Sequence, residues 1–118
     1  MRHGRTASNA EGRIQGHLDT PLDDLGHRQA AAAAPWLAAL EPTVLLTSDL
    51  SRAADTAAPL GRALGLAPVV DARLRELHLG AWQGLTGQEA RERFPDEHAA
   101  WRAGDDVPRG GGETYLQA

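Results

Sequence analysis

Arg2, His3, Gly4, Arg5 and Thr6 stand in a row near the start of the chain, and Asn9, Gly12 and Arg13 follow closely. An imidazole, fixed cations and flexible residues at that spacing can build a cradle for a phosphate-like anion. Neutral imidazole is a competent nucleophile, glycine lets backbone N–H groups approach an anion, and arginine offers its oxygens a rigid fork. The same short motif also fits a solvated, mobile N-terminus. Thr6 and Asn9 can hydrogen-bond phosphate or substrate, and they serve equally well as turn formers. Gln15 is a weaker candidate of the same kind. Arg52 is a second fixed cation, predicted in the first turns of a helix, where backbone N–H groups and the dipole also favour an anion. Its alternative is a helix-surface arginine.

These residues need a scaffold, and the pattern between them supplies one. Gly4, Gly12, Gly16 and Pro21 punctuate residues 1–22, which read as an irregular loop. Asp23 can cap a helix reaching about Leu40, with Gln29 to Ala34, Trp36, Leu37 and Leu40 as a one-sided apolar stretch that Pro35 should kink. Thr43 to Thr47 is short, apolar and bounded by Pro42 and Ser48, which predicts a buried strand. Ser48 or Asp49 would cap the next helix, whose Leu50, Ala53, Ala54, Ala57, Leu60 and Leu64 recur at helical spacing before Gly65 stops it. Val69 and Val70 form another brief strand, so the order strand, helix, strand predicts a parallel crossover. Residues 71–84 read as a loop. Thr86 can cap a short helix to about Phe94, Pro95 interrupts it, and a second piece can run to Ala103. Gly110 to Gly112 lead into Glu113 to Ala118, which reads as the start of another helix.

Composition narrows the classes further. With 118 residues, 42% hydrophobic and 24% charged, the chain fits one domain. Abundant alanine with 4% aromatics favours α/β over all-β. Cysteine is absent, so disulfides and thiolate metal sites are excluded. No apolar run reaches bilayer length and residues 1–20 lack the order of a secretory signal, making a cytoplasmic location the default expectation. A net charge of −4 without a Lys/Arg cluster argues against nucleic acid or an anionic membrane as partner. His17, His27, His78 and His98 show no metal-like pairing and read as surface or loop histidines. Trp82 and Trp101 read as packing residues.

The blocks RHGRT, GRIQGHLDTPLDDLGHRQA, SDLSRAADTA and LRELHLGAWQGLTGQE, in that order, resemble the histidine phosphatase superfamily, also called phosphoglycerate mutase-like, and its phosphatase branch in particular. The resemblance runs across essentially the whole chain. It implies an α/β fold of three layers, a mainly parallel sheet with helices on both faces, of which this chain holds the N-terminal portion. It implies His3 as the nucleophile that becomes phosphohistidine. It implies that Arg2 and Arg52 bind the phosphoryl oxygens and that Glu76 is the proton donor, while Gly4, Thr6 and Asn9 stay candidates, from the residues themselves, for holding phosphate or substrate. Glu76 must alternate between acid and base, which requires a tuned pKa, and the flanking Leu74 and Leu77 are expected to bury it. Phosphoryl transfer depends on positioning and charge stabilisation, so two arginines around one imidazole form a sufficient core. No metal or cofactor is implied, and the expected partner is a small phosphorylated metabolite. Glu113 and Thr114 match the family's turn after its glycines.

Three departures stand out. The family's second histidine has no counterpart here, the hydrophobic strand before the RHG motif is reduced to Met1, and position 5 is arginine where glutamate or glutamine is common. The expected domain over residues 1–118 is therefore incomplete, lacking its first strand and its C-terminal part, and Arg5 adds positive charge near the mouth of the site. The leading expectation is a phosphomonoester hydrolase. The alternatives are mutase-type phosphoryl transfer and an inactive fragment or binding remnant.

Overall fold

Two stretches of backbone are stitched into each of two compact units in the computed structural model, which describes residues 1–118. The first unit comprises Met1–Ala7 and Asp19–Arg75, the second Ser8–Leu18 and Glu76–Ala118.

A short helix, α1 (Ala7–Glu11), whose residues from Ser8 onward belong to the second unit, is an addition to the loop expected over residues 1–22. In the first unit, helix α2 (Asp24–Ala38) starts where Asp23 accepts the Gly26 N–H at 2.7 Å, and it continues through Pro35. Its packed face is Gly26, Ala30 and Ala34, a four-residue repeat of small side chains that lets α3 (Ser51–Leu64) lie close by. Trp36 sits two residues from Ala34, about 200° round the helix. It is 82% exposed, as Leu40 is at 77%. The apolar stripe expected to include them is thus narrower. Helix α3 ends at Gly65 in the left-handed conformation (φ 66°), the geometry that glycine favours at a helix stop. Strands β1 (Leu46–Thr47) and β2 (Val69–Val70) pair in parallel, Leu46 opposite Val69, so β1, α3 and β2 form the expected crossover. The expected buried strand over 43–47 is corrected: β1 has two residues, and Val44, Leu46, Val69 and Val70 are all exposed. Within β1 only Thr47 is buried.

The second unit closes around Trp82. The backbone of Ile14 exchanges hydrogen bonds with Leu85 and Gly84, and Arg13 bridges Thr86. Leu77, Leu79, Trp82 and Ala90 form the core, with Ile14, Leu85, Phe94 and Trp101 packed against it. Thr86 caps α4 (Gly87–Arg93) in a reciprocal box with Glu89, which satisfies two backbone donors at once. Pro95 opens α5 (Pro95–Arg102), at a position where its missing N–H costs nothing. Residues 71–84 carry two single 3-10 turns, Ala72–Leu74 and Gly80–Trp82. The helix expected from Glu113 is a single turn, because one turn fixes several dihedrals for few bonds.

Candidate active site

In the first unit His3, Gly4, Thr56 and the backbone of Arg52 are linked by one hydrogen-bonded chain. His3 is half-buried and its Nδ1 lies 2.6 Å from the Gly4 carbonyl oxygen. A carbonyl only accepts, so Nδ1 carries the hydrogen and the Nε2 lone pair of the neutral ring is left available. Gly4 is buried, and its N–H donates to Thr56 Oγ1 at 2.9 Å. The Thr56 hydroxyl in turn donates to the Arg52 carbonyl at 2.6 Å. A Cβ on Gly4 would stand 2.5 Å from the Gly26 carbonyl oxygen, so only glycine permits this approach to the first turn of α2.

Arg52 is 3% exposed in the first turn of α3. The expected cap by Ser48 or Asp49 is not formed: the N-cap is Leu50, which has no side-chain acceptor. Asp19 takes that place from across the loop, its Oδ1 accepting the Ser51 N–H at 2.6 Å. That bond, the Ser51 hydroxyl and the charge of Arg52 hold the Asp19 carboxyl below its ordinary value, since each favours the ionised form. Asp49 instead engages Arg75 through both nitrogens of a fork, one at 2.6 Å. Arg2 is exposed and joins no ion pair, while Thr6 is entirely buried in an antiparallel bridge with Leu22. The added charge expected of Arg5 is answered locally, since Arg5 Nε lies 2.6 Å from Asp23, whose carboxyl is lowered first by the Gly26 N–H and then by Arg5.

Asn9 and Glu76 belong to the second unit. Asn9 is half-buried on α1, and its carbonyl accepts the Gly12 N–H at 3.1 Å. The burial expected for Glu76 is corrected: Leu77 turns into the core, but Leu74 and Glu76 are both exposed. Glu76 is held at both ends: its carboxylate accepts the Leu77 N–H at 3.0 Å and its backbone carbonyl accepts from His17 Nε2 at 2.6 Å. His17 stands edge-on to His78, with ring centroids 4.9 Å apart, and Glu113 lies 3.9 Å away. Gln83 Oε1 joins the segments by accepting the N–H groups of His17 and Leu79. No group of three or more His, Asp or Glu side chains is arranged to hold a metal ion. No helix is long and apolar enough to cross a membrane.

Thr56, Asp19 and His17 make hydrogen bonds to Gly4, Ser51 and Glu76 that the sequence does not single out as contacts. Thr56 lies one turn beyond Arg52 on the same helical face and within the SDLSRAADTA block. Asp19 and His17 act on partners 32 and 59 residues away, and nothing local marks such contacts.

The chain matches the family model described as histidine phosphatase superfamily (branch 1) over residues 1–118. Among curated proteins, it is 50% identical over 114 residues to a glucosyl-3-phosphoglycerate phosphatase of Mycolicibacterium vanbaalenii, covering 94% of this chain and 50% of that protein. It is 47% identical over 116 residues to the protein of the same name from Mycobacterium tuberculosis, covering 98% of this chain and 52% of that one. A solved structure of mycobacterial glucosyl-3-phosphoglycerate phosphatase complexed with VO3 superposes with a TM-score of 0.89 at 48% identity, covering 96% of this chain and 56% of that one. The chain thus spans about half the length of the curated relatives it matches. With the RHG segment, the Arg52 helix and the parallel crossover in place, the chain belongs to the histidine phosphatase superfamily and has its α/β fold.

Proposed function

We propose that this chain carries the phosphohistidine-forming part of a phosphomonoester hydrolase. The observation that carries the reading is the His3 ring, anchored through Nδ1 to Gly4 so that Nε2 keeps its lone pair, on a segment hydrogen-bonded to the helix that bears Arg52. Nε2 attacks phosphorus and forms the P–N bond as the ester P–O bond breaks, while protonated Glu76 gives its proton to the leaving oxygen. Water then loses a proton to the Glu76 carboxylate and attacks phosphorus, breaking the P–N bond to release phosphate and neutral His3. Arg2 and Arg52 balance the charge on the phosphoryl oxygens, and Gly4, Thr6 and Asn9 complete the proposed set of phosphate-binding groups.

Hydrolysis is favoured over mutase transfer by relatives named as phosphatases, and a VO3 complex in one of them supports a phosphate-like ligand. The proposed substrate is a small phosphorylated metabolite, and glucosyl-3-phosphoglycerate is the first to assay. The test compares metal-free turnover of an aryl phosphate, and acid-labile phosphoprotein formed from it, in the wild-type chain and His3→Ala. Both signals should vanish in the variant. Turnover that persists without His3 would overturn the reading.

A further inference from the structure

We propose that Thr56 is a positioning residue for His3, its hydroxyl setting the Gly4 peptide so that the imidazole is held with Nε2 free for attack. The inference rests on the role given to His3 above, but its geometry stands by itself.

Thr56 is 5% exposed and lies one helical turn after Arg52. A threonine in a helix often turns its hydroxyl back to the carbonyl four residues earlier. Thr56 does so, donating to the Arg52 carbonyl at 2.6 Å. That bond uses the single hydroxyl hydrogen and orients the lone pairs outward. One of them receives the Gly4 N–H at 2.9 Å, from a residue 52 positions away in sequence. The same Gly4 presents its carbonyl oxygen to His3 Nδ1 at 2.6 Å. The N–H and the carbonyl of Gly4 are therefore both assigned, one to the helix and one to the imidazole.

Glycine has the widest backbone freedom of any residue, so a carbonyl that selects a ring tautomer must be held by something other than its own residue. The first turn of α2 restrains Gly4 on one side by contact with Gly26, which limits translation but imposes no hydrogen-bond direction. Thr56 supplies the direction. Without its acceptor the buried Gly4 N–H would be left unmade, and the peptide would turn to find another partner, carrying the carbonyl away from Nδ1. The ring would then no longer be confined to the Nδ1–H form, because the tautomer of a neutral histidine follows the bond its other nitrogen makes. The same hydroxyl touches the backbone of Arg52, so the placement of nucleophile and fixed cation is set by one side chain.

Thr56→Val keeps the shape and removes the acceptor, and Thr56→Ser keeps the acceptor and removes a methyl group. Nitrogen NMR of the His3 ring at about pH 8.5, above the ordinary imidazole range, reads the tautomer without requiring turnover. Wild type and Thr56→Ser should show Nδ1–H, and Thr56→Val should move toward Nε2–H. With an aryl phosphate, kcat should fall by about tenfold to a hundredfold in Thr56→Val, with KM little moved, and recover in Thr56→Ser. In the wild type alone the Gly4 amide should exchange slowly with solvent, which keeps the test decisive if Thr56→Val does not fold. A fast-exchanging Gly4 amide, an Nε2–H ring in the wild type, or an unchanged Nδ1–H ring in folded Thr56→Val would each overturn the proposal. An aryl phosphate left intact by the wild type would count against the hydrolase reading instead, while the tautomer and amide measurements would still decide the role of Thr56.

Discussion

The two units bury different kinds of groups. In the first, Thr6, Thr47, Ser48, Arg52 and Thr56 are buried alongside Leu22, Leu50 and Leu60 and small residues such as Ala30, Ala34 and Ala57. In the second, the interior is a stack of rings: Trp82 lies nearly parallel to Phe94 and His98 and meets Trp101 edge-on at 5.9 Å. The guanidinium of Arg109 rests over Trp82, Trp101 and Tyr115, with 5.3 Å to the Trp101 centroid. Buried polar groups add little net stability but are costly when left unpaired, whereas large rings contribute through area. Polar burial in the first unit therefore fixes geometry, and aromatic burial in the second supplies cohesion. Substitutions in the first should disturb chemistry beyond their effect on stability, and those in the second should act mainly through stability.

Trp82→Ala is the largest expected effect. The Trp82 side chain is 2% exposed and packs with three other rings. Its removal should cost about 3–5 kcal/mol, read as a fall in the urea midpoint. Trp82→Phe should cost less, since it keeps part of the stack and removes an indole N–H that is buried without a partner, itself an unfavourable feature. Equal losses in the two variants would mean that ring area is not what holds this unit. Gly26→Ala comes next and probes the other unit. Helix propensity alone predicts a gain of about 1 kcal/mol, because alanine is the better helix former. The new Cβ would drive into the backbone of Arg5, which cannot rotate away. Overpacking costs about 1–3 kcal/mol or more, so the net change should be a loss. His3 ring signals should shift along with it. A stabilised Gly26→Ala variant would show that the Arg5–Gly26 approach is slack.

What is legible in the sequence depends on whether the determining contact is local. The Thr86 cap, the Gly65 stop, the Asp23 cap and the β1–α3–β2 crossover all follow from short stretches of chain, and all are present. The RHG and SDLSRAADTA blocks are readable because each is a short contiguous segment. The cap of α3 is not, because Asp19 and Ser51 are 32 residues apart and Ser48 and Asp49 are the nearer candidates. The exposure of Trp36, Leu46 and Glu76 is hidden for a related reason: an apolar neighbour in sequence does not say which way a side chain turns. In α2 the buried face is the one that carries no bulky residue.

Asp19 offers the smallest expected effect and the finest test of polar burial as a geometric device. Its carboxylate replaces the cap that Leu50 cannot provide. Asp19→Ala should therefore destabilise by about 1 kcal/mol, while Asp19→Asn keeps an acceptor and should cost less. The pH dependence separates acceptor from charge. The Ser51 N–H, the Ser51 hydroxyl and Arg52 lower the folded-state pKa of Asp19 below its ordinary 3.8. A carboxyl lowered in the folded state stabilises above its unfolded pKa, and that contribution is lost as pH falls through the folded value. The gap in unfolding midpoint between wild type and Asp19→Asn should thus be constant at neutral pH and shrink below about pH 4. A gap that persists undiminished in acid would assign the stabilisation to hydrogen-bond shape alone, and the charge of Asp19 would then have no part in holding the first turn of the Arg52 helix.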